Sequence, residues 1–273
     1  MVQPALFNAF IIALILTTLG PIAIIAILAI KKKINGLPML FGALAFFVSQ
    51  MLLRIPLLSV LSMLDGFQSF AAQTVPYILF LSFTAGLFEE SGRLGGALIL
   101  KKKRSYKDVI SFGLGHGLCE VILIVGLTHI NNVIFCIAIN NPGEAFTTMI
   151  PPETLETIKT IMLEANPAHV YLGILERVFA VTLHVFMTVL VFQGVMLKKW
   201  WYFVLAILAH TFFNFTASML AIYINIYVSE AALLVMAVAA GWYAIKSKKS
   251  FQVQYEHIGQ STATQTNQQE TTE

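Results

Sequence analysis

Residues 76–100 read PYILFLSFTAGLFEESGRLGGALIL, an apolar stretch long enough to cross a bilayer as a helix. Its middle holds Glu89, Glu90 and Arg93, although a charge at the bilayer centre costs at least ~2.5–3.5 kcal/mol. Arg93 follows the two glutamates by four and three residues, so it shares a helix face with them and can neutralise one carboxylate. The other carboxylate then has no counter-charge in a medium of low dielectric constant, which makes it a candidate catalytic group.

The composition places the chain among integral membrane proteins. Of its 273 residues, 58% are hydrophobic and 11% are charged, unlike the balance of a soluble domain. The hydropathy pattern predicts an all-α, polytopic transmembrane bundle of about seven spans. We expect residues 1–250 to form this membrane domain and residues 251–273, which are polar and low in complexity, to form a disordered tail. The predicted spans are Phe7–Ile30, Leu37–Met63, Pro76–Leu100, Val109–Thr128, Val170–Leu197, Phe203–Ile222 and Ile226–Ile245.

The lysines and arginines predict how the chain is oriented. Thirteen of the 17 fall in four places, at Lys31–Lys33, Lys101–Arg104 with Lys107, Lys198–Lys199, and Lys246 with Lys248 and Lys249. With seven spans all four places lie on one side, which the positive-inside rule makes the cytoplasm. The N-terminus is therefore expected outside and the C-terminus inside. We interpret the basic clusters as orientation signals that contact the lipid bilayer, and we expect no nucleic-acid partner.

Four of the predicted spans carry polar side chains at a similar depth. Counted at ~1.5 Å per residue from the cytoplasmic ends, these groups lie about 11–20 Å into the membrane. Side chains spaced by four or seven residues share a helix face, so each span can present its polar groups to one interior site. The residues are Glu89 and Glu90, then His116 and Glu120, then Arg177 and His184, then His210 and Asn214.

Such a layer can support hydrolysis. A buried carboxylate can act as a base towards water, an imidazole can orient the water or protonate a leaving amine, and His210 with Asn214 can donate to an oxyanion. The same groups could instead hold a zinc ion, with Glu90, Glu120, His184 and His210 as ligands. Arg54, Arg93 and Arg177 are expected to pair with the carboxylates. A proton- or ion-coupled transporter or channel component is the alternative, since such groups also build ion pathways.

The ordered set of motifs resembles the YhfC-like family of bacterial membrane proteins. This family belongs to the superfamily of CAAX-prenyl endopeptidases and bacteriocin-processing enzymes, and it is similar to PrsW-type proteases. The matching motifs are Glu89-Glu90-x-x-Arg93, His116-x-x-x-Glu120, an Arg and His motif at Arg177 and His184, and His210-x-x-x-Asn214.

The resemblance implies an intramembrane peptidase in a bacterial cell membrane. Its substrate would be a membrane-embedded or lipidated peptide or protein. In this family the paired glutamate and a histidine activate water, and the last His and Asn stabilise the oxyanion. The resemblance leaves two chemistries open, a metal-free glutamic peptidase and a zinc-dependent metalloprotease.

Overall fold

The computed structural model describes residues 1–101, 103–141 and 150–270, and it is helical throughout, with no strand in these ranges. The predicted all-α class is confirmed. Prolines stand in the first turn of α6 and α7, where a missing backbone N–H leaves no hydrogen bond unmade. The helices are α1 (Pro4–Ile30), α2 (Gly36–Leu61), α3 (Asp65–Ala71), α4 (Thr74–Ile99), α5 (Tyr106–Asn140), α6 (Pro152–Glu164), α7 (Pro167–Leu197), α8 (Trp201–Tyr223) and α9 (Ile226–Glu270).

Within the described ranges, six helices are long and apolar enough to cross a membrane, and α3 with α4 supplies a seventh span if the pair is counted as one. The axes of α3 and α4 meet at 105°, so this span is broken or re-entrant. The predicted count of about seven is confirmed. The fourth span is longer than predicted, because α5 continues past Thr128 to Asn140. The outside position of the N-terminus stays a prediction.

The chain divides into two units, each of which has its own core. Unit 1 comprises Met1–Ile30 and Leu118–Val178, and unit 2 comprises Lys31–Gly117 and Phe179–Glu273. In unit 1, Ile158 and Met162 of the short helix α6 belong to one apolar cluster with Leu6 and Phe10 of α1. In unit 2 the core is built around Phe112 and Phe192, whose rings meet edge to face at 5.2 Å.

The last helix continues through the segment predicted to be a tail. The backbone of α9 is helical to Glu270, and its side chains are described as far as Val253. Phe251, the first residue of the predicted tail, is fully buried in the core of unit 2 and contacts Tyr106. The division of the chain at residue 250 stays a prediction.

Glycines allow α5 to approach two neighbouring helices of unit 2 at backbone distance. A Cβ atom on Gly115 would lie 2.0 Å from the carbonyl oxygen of Met39 in α2, and one on Gly42 would lie 1.9 Å from that of Phe112. A Cβ atom on Gly113 would lie 2.8 Å from the Cα atom of Val185 in α7. The glycines around His116 therefore serve close helix packing and hold this histidine between α2 and α7.

Gly115→Ala is expected to destabilise the protein by about 1–3 kcal/mol, because the added methyl group overlaps backbone atoms that cannot move independently. Gly95→Ala in α4 is the matched control, since a Cβ atom there meets nothing within 4 Å. That control should be neutral or stabilising by up to ~1 kcal/mol from helix propensity. Unfolding in mixed micelles measures both variants, and equal stability of the two would contradict the packing role of Gly115.

Candidate active site

The centre of unit 2 is a buried cluster of charged side chains on α4. Glu89 and Glu90 are 4% and 0% exposed, and Arg93 is fully buried beside them. One guanidinium nitrogen of Arg93, Nη1, donates to Glu90 Oε1, and the other, Nη2, lies 3.5 Å from Glu89 Oε2. The helix-face pairing expected from the spacing is therefore observed, and Arg93 contacts both carboxylates rather than one.

Three other helices bring imidazole rings to this pair. His116 of α5 lies 2.9 Å from Glu89 Oε2 through its Nε2 atom, and His210 of α8 lies 2.8 Å from Glu90 Oε1 through Nδ1. The Nδ1 atom of His184 in α7 is 2.6 Å from Arg93 Nη2, so it accepts a hydrogen bond from the guanidinium group. The His184 ring lies 5.3 Å from the ring of His116 and 5.8 Å from that of His210. Five of the seven predicted catalytic residues thus meet in one site.

Two polar side chains of α2, those of Gln50 and Arg54, form a series of hydrogen bonds that ends at Glu89. Gln50 donates from Nε2 to Glu89 Oε1 at 2.6 Å, and Arg54 donates from Nη1 to Gln50 Oε1 at 3.1 Å. Arg54 also donates to Thr84 Oγ1 and to the carbonyl oxygen of Leu81. Arg54 is therefore linked to Glu89 through Gln50, and its role as a counter-charge stays a prediction. Gln50 is not among the site residues predicted from the sequence. A single amide side chain one turn from Arg54, in an otherwise apolar span, is the pattern that could have indicated it.

The stretch that carries Gln50 and Arg54 has π-helical hydrogen bonding. It runs from Phe47 to Arg54 inside α2, and the backbone N–H of Ile55 donates to the carbonyl oxygen of Gln50, five residues earlier. Short π-helical insertions in α-helices are frequent at functional sites. Here the insertion lies where α2 supplies the residue that contacts Glu89.

Three further residues, Glu120, Arg177 and Asn214, are predicted to belong to the site or to support it. Glu120 belongs to unit 1, where it lies 3.4 Å from Arg177 Nη1. Arg177 also contacts Glu176, so it pairs with carboxylates as expected but within unit 1. Asn214 is exposed one turn beyond His210, and it makes no hydrogen bond to any residue that the structure describes. The site role of Glu120 and the oxyanion role of Asn214 stay predictions.

The two glutamates have different surroundings. Both oxygens of Glu89 are bonded, Oε1 to Gln50 and Oε2 to His116. For Glu90, Oε1 receives two contacts, from Arg93 and His210, while Oε2 is buried and has no hydrogen-bond partner within the described ranges. Glu90 is thus anchored through one oxygen and keeps the other available to accept a proton.

One group of side chains in the described part of the chain is close enough together to hold a metal ion. Glu89, His116 and His184 each offer one donor atom, and these atoms all lie within 4.8 Å of one another. Around a tetrahedral zinc ion with bonds of about 2.0–2.2 Å, donors are roughly 3.3–3.6 Å apart. The observed separations lie on either side of this spacing, at 2.9 Å between His116 Nε2 and Glu89 Oε2 and 3.7 Å between His184 Nδ1 and Glu89 Oε2, so His116 would have to move by a few tenths of an ångström to bind an ion together with Glu89.

This ligand set differs from the predicted one. The predicted ligands are Glu90, Glu120, His184 and His210, and the two sets share His184. Arg93 Nη2 lies against His184 Nδ1, so metal binding through this nitrogen requires the guanidinium group to give up that hydrogen bond.

Fold and site together define a class of protein, a helical membrane protein with a buried centre of carboxylate and imidazole groups suited to metal binding. The chain belongs to the YhfC intramembrane metalloprotease family, whose model matches residues 16–235. It is similar to a membrane protein of Bacillus subtilis strain 168, described as the uncharacterized membrane protein YhfC, with 28% identity over 77% of this chain and 84% of the relative. No solved structure matches the chain. The predicted family and the location in a bacterial membrane are confirmed.

Proposed function

We propose that this protein is an intramembrane endopeptidase in which Glu90 is the general base. The observation that carries the proposal is the asymmetry of Glu90. Its Oε1 atom is held by Arg93 and His210, and its Oε2 atom is buried without a hydrogen-bond partner in the described part of the chain. A base must be fixed in position and must keep an acceptor oxygen free, and Glu90 satisfies both conditions.

Hydrolysis needs one proton to leave water and one to reach the leaving amine. Glu90 Oε2 accepts the proton of the attacking water, whose oxygen bonds to the carbonyl carbon of the substrate. The C–N bond then breaks, and the proton held by Glu90 is returned to the amine nitrogen. His210, bonded to Glu90 Oε1, orients the carboxyl group during both transfers. The supporting contacts from Arg93 keep Oε1 out of the reaction.

We further propose that Glu89, His116 and His184 hold a zinc ion. A zinc ion held there would supply Lewis-acid chemistry, which activates a bound water and polarises a carbonyl group. Gln50 fixes the orientation of Glu89 through Oε1, which leaves Oε2 directed at the two histidines. Partners of this kind, which orient the ligands of a metal, contribute to its affinity.

The surroundings of the site favour an apolar substrate. A groove of about 640 Å³ lies between α2 and α4, and it includes Ser49 and Phe88, the residues immediately before Gln50 and Glu89. Its walls are otherwise mostly aliphatic and aromatic, and Gly95 leaves open space along α4. A membrane-embedded or lipidated peptide is therefore the substrate class that we propose.

Zinc content tests the ligand set. Purified wild-type protein is expected to hold one zinc ion per chain, and Glu89→Gln or His116→Ala should lose it, because each removes one of three ligands. Glu90→Gln should retain the metal. His169→Ala is the control, since it removes an exposed imidazole of unit 1. Metal retained by both ligand variants would contradict the assignment.

Cleavage in proteoliposomes tests the reaction class. Wild-type protein should cleave single-span membrane peptides, and a chelator should abolish this cleavage. Proton-coupled flux without cleavage would instead support the transporter alternative, which uses the same buried groups.

A further inference from the structure

Unit 2 contains a second cavity, of about 300 Å³, at the C-terminal ends of α4 and α7. Its apolar walls include Leu94 and Leu98 of α4 and Val191 and Val195 of α7. Val191 precedes the end of α7 by six residues, so the walls extend roughly 10 Å along the helix. The volume is at the lower end of the range for small-molecule sites.

The rim of this cavity is basic and aromatic. Lys198, Lys199 and Trp200 line it, and all three are exposed in the short connection between α7 and α8. Exposed tryptophan and lysine beside an apolar wall are typical of the membrane–water interface. The cavity therefore combines an apolar interior with two ammonium groups at its opening.

The backbone holds the lysines at the rim in a conformation that glycine usually adopts. Lys198 has φ 54°, and the N–H of Lys199 donates to the carbonyl oxygen of Gly194 at 2.9 Å. This is the pattern of a helix C-cap whose left-handed residue is most often glycine, because a Cβ atom is strained there. A lysine at this position places a charged side chain at the cavity in spite of that strain.

We propose that this cavity binds one anionic phospholipid. An acyl chain would lie between α4 and α7, and the phosphate would contact Lys198 and Lys199. A soluble anion would leave the apolar walls in contact with water. A zwitterionic lipid would cover the walls but would pair less well with two ammonium groups. An anionic lipid covers the apolar walls and also pairs with both lysines. The proposal does not depend on peptidase activity.

Quenching of Trp200 fluorescence tests the proposal. Trp201→Phe and Trp242→Phe leave Trp200 as the single tryptophan of the full chain. This protein is placed in phosphatidylcholine nanodiscs that contain increasing fractions of lipid brominated on its acyl chains. Brominated phosphatidylglycerol is expected to quench Trp200 at a mole fraction roughly 25-fold lower than brominated phosphatidylcholine, because each of the two lysines raises the affinity for the anionic lipid about fivefold. Equal quenching by the two lipids would overturn the proposal.

Charge variants show whether the effect belongs to this cavity. Lys198→Gly with Lys199→Gln should abolish the selectivity, and the glycine relieves backbone strain, so misfolding is not the cause. Lys248→Gln with Lys249→Gln removes the same charge from exposed positions outside the cavity and should retain the selectivity. Loss of selectivity in both pairs would mean that only surface charge matters, and it would refute a defined site. Displacement of the lipid by inorganic phosphate would also refute it, because a soluble anion would then suffice.

Discussion

Glu90→Gln is expected to reduce peptide hydrolysis by about 10²–10⁴-fold while the protein keeps its fold and its zinc. Glutamine has the shape of glutamate but cannot accept a proton at neutral pH. Its carbonyl oxygen can still accept the hydrogen bond from Arg93, so the anchoring of the side chain is retained. Turnover of a membrane peptide at saturating concentration is the measurement, because the loss should fall on kcat and leave KM little changed.

Two further glutamate variants separate the base from the rest of the site. Glu89→Gln should also lose activity, but with loss of the metal, because Glu89 is a ligand in the proposed set. Glu156→Gln alters an exposed glutamate of α6 and should leave both activity and metal unchanged. If Glu90→Gln kept full turnover on a true substrate, Glu90 would not be the base and the proposed mechanism would fail.

Arg93→Met is expected to lower the free energy of unfolding by about 3–5 kcal/mol. Arg93 is fully buried, contacts Glu89 and Glu90, and donates to His184. Methionine fills a similar volume but leaves two buried carboxylates without this counter-charge, which is the costly way to break a buried ion pair. Unfolding of the purified protein by denaturing detergent, followed by circular dichroism, measures the loss.

Arg177→Met provides the matched comparison. Arg177 also contacts two glutamates, Glu120 and Glu176, but its side chain is 18% exposed and solvent screens the interaction. Its loss should therefore cost clearly less. Adding Glu90→Gln to Arg93→Met should recover part of the stability, because it removes one uncompensated charge. Equal destabilisation by the two arginine variants, with no recovery in the double variant, would contradict the role of Arg93.

From the sequence, the level of a side chain along its helix is easier to predict than the neighbours that it contacts. The spacing of Glu89, Glu90 and Arg93 predicts one helix face, and counting along the spans predicts that His184 and His210 lie at the same level. The position of a residue along the helix axis does not determine which neighbouring helix its side chain contacts. Glu120 follows His116 by one turn, yet it lies 3.4 Å from Arg177 in unit 1.

Gln50 shows another limit of pattern analysis. A lone glutamine in an apolar span has the same appearance whether it joins two helices or orients a ligand, and only its contact with Glu89 separates these roles. The π-helical stretch around it is also invisible to a search for a period of 3.6 residues, because the register changes within the helix.

That π-helical stretch allows α2 to tolerate a change in its length. A π turn accommodates one residue more than an α-helical turn, so deleting one residue between Phe47 and Arg54 would allow the helix to become regular. The parts of α2 on either side would keep their orientation, because the deletion removes only the residue that the wider turn accommodates. Relatives that lack one residue here should therefore keep the rest of α2 in place, with the difference confined to the turn that carries Gln50 and Arg54.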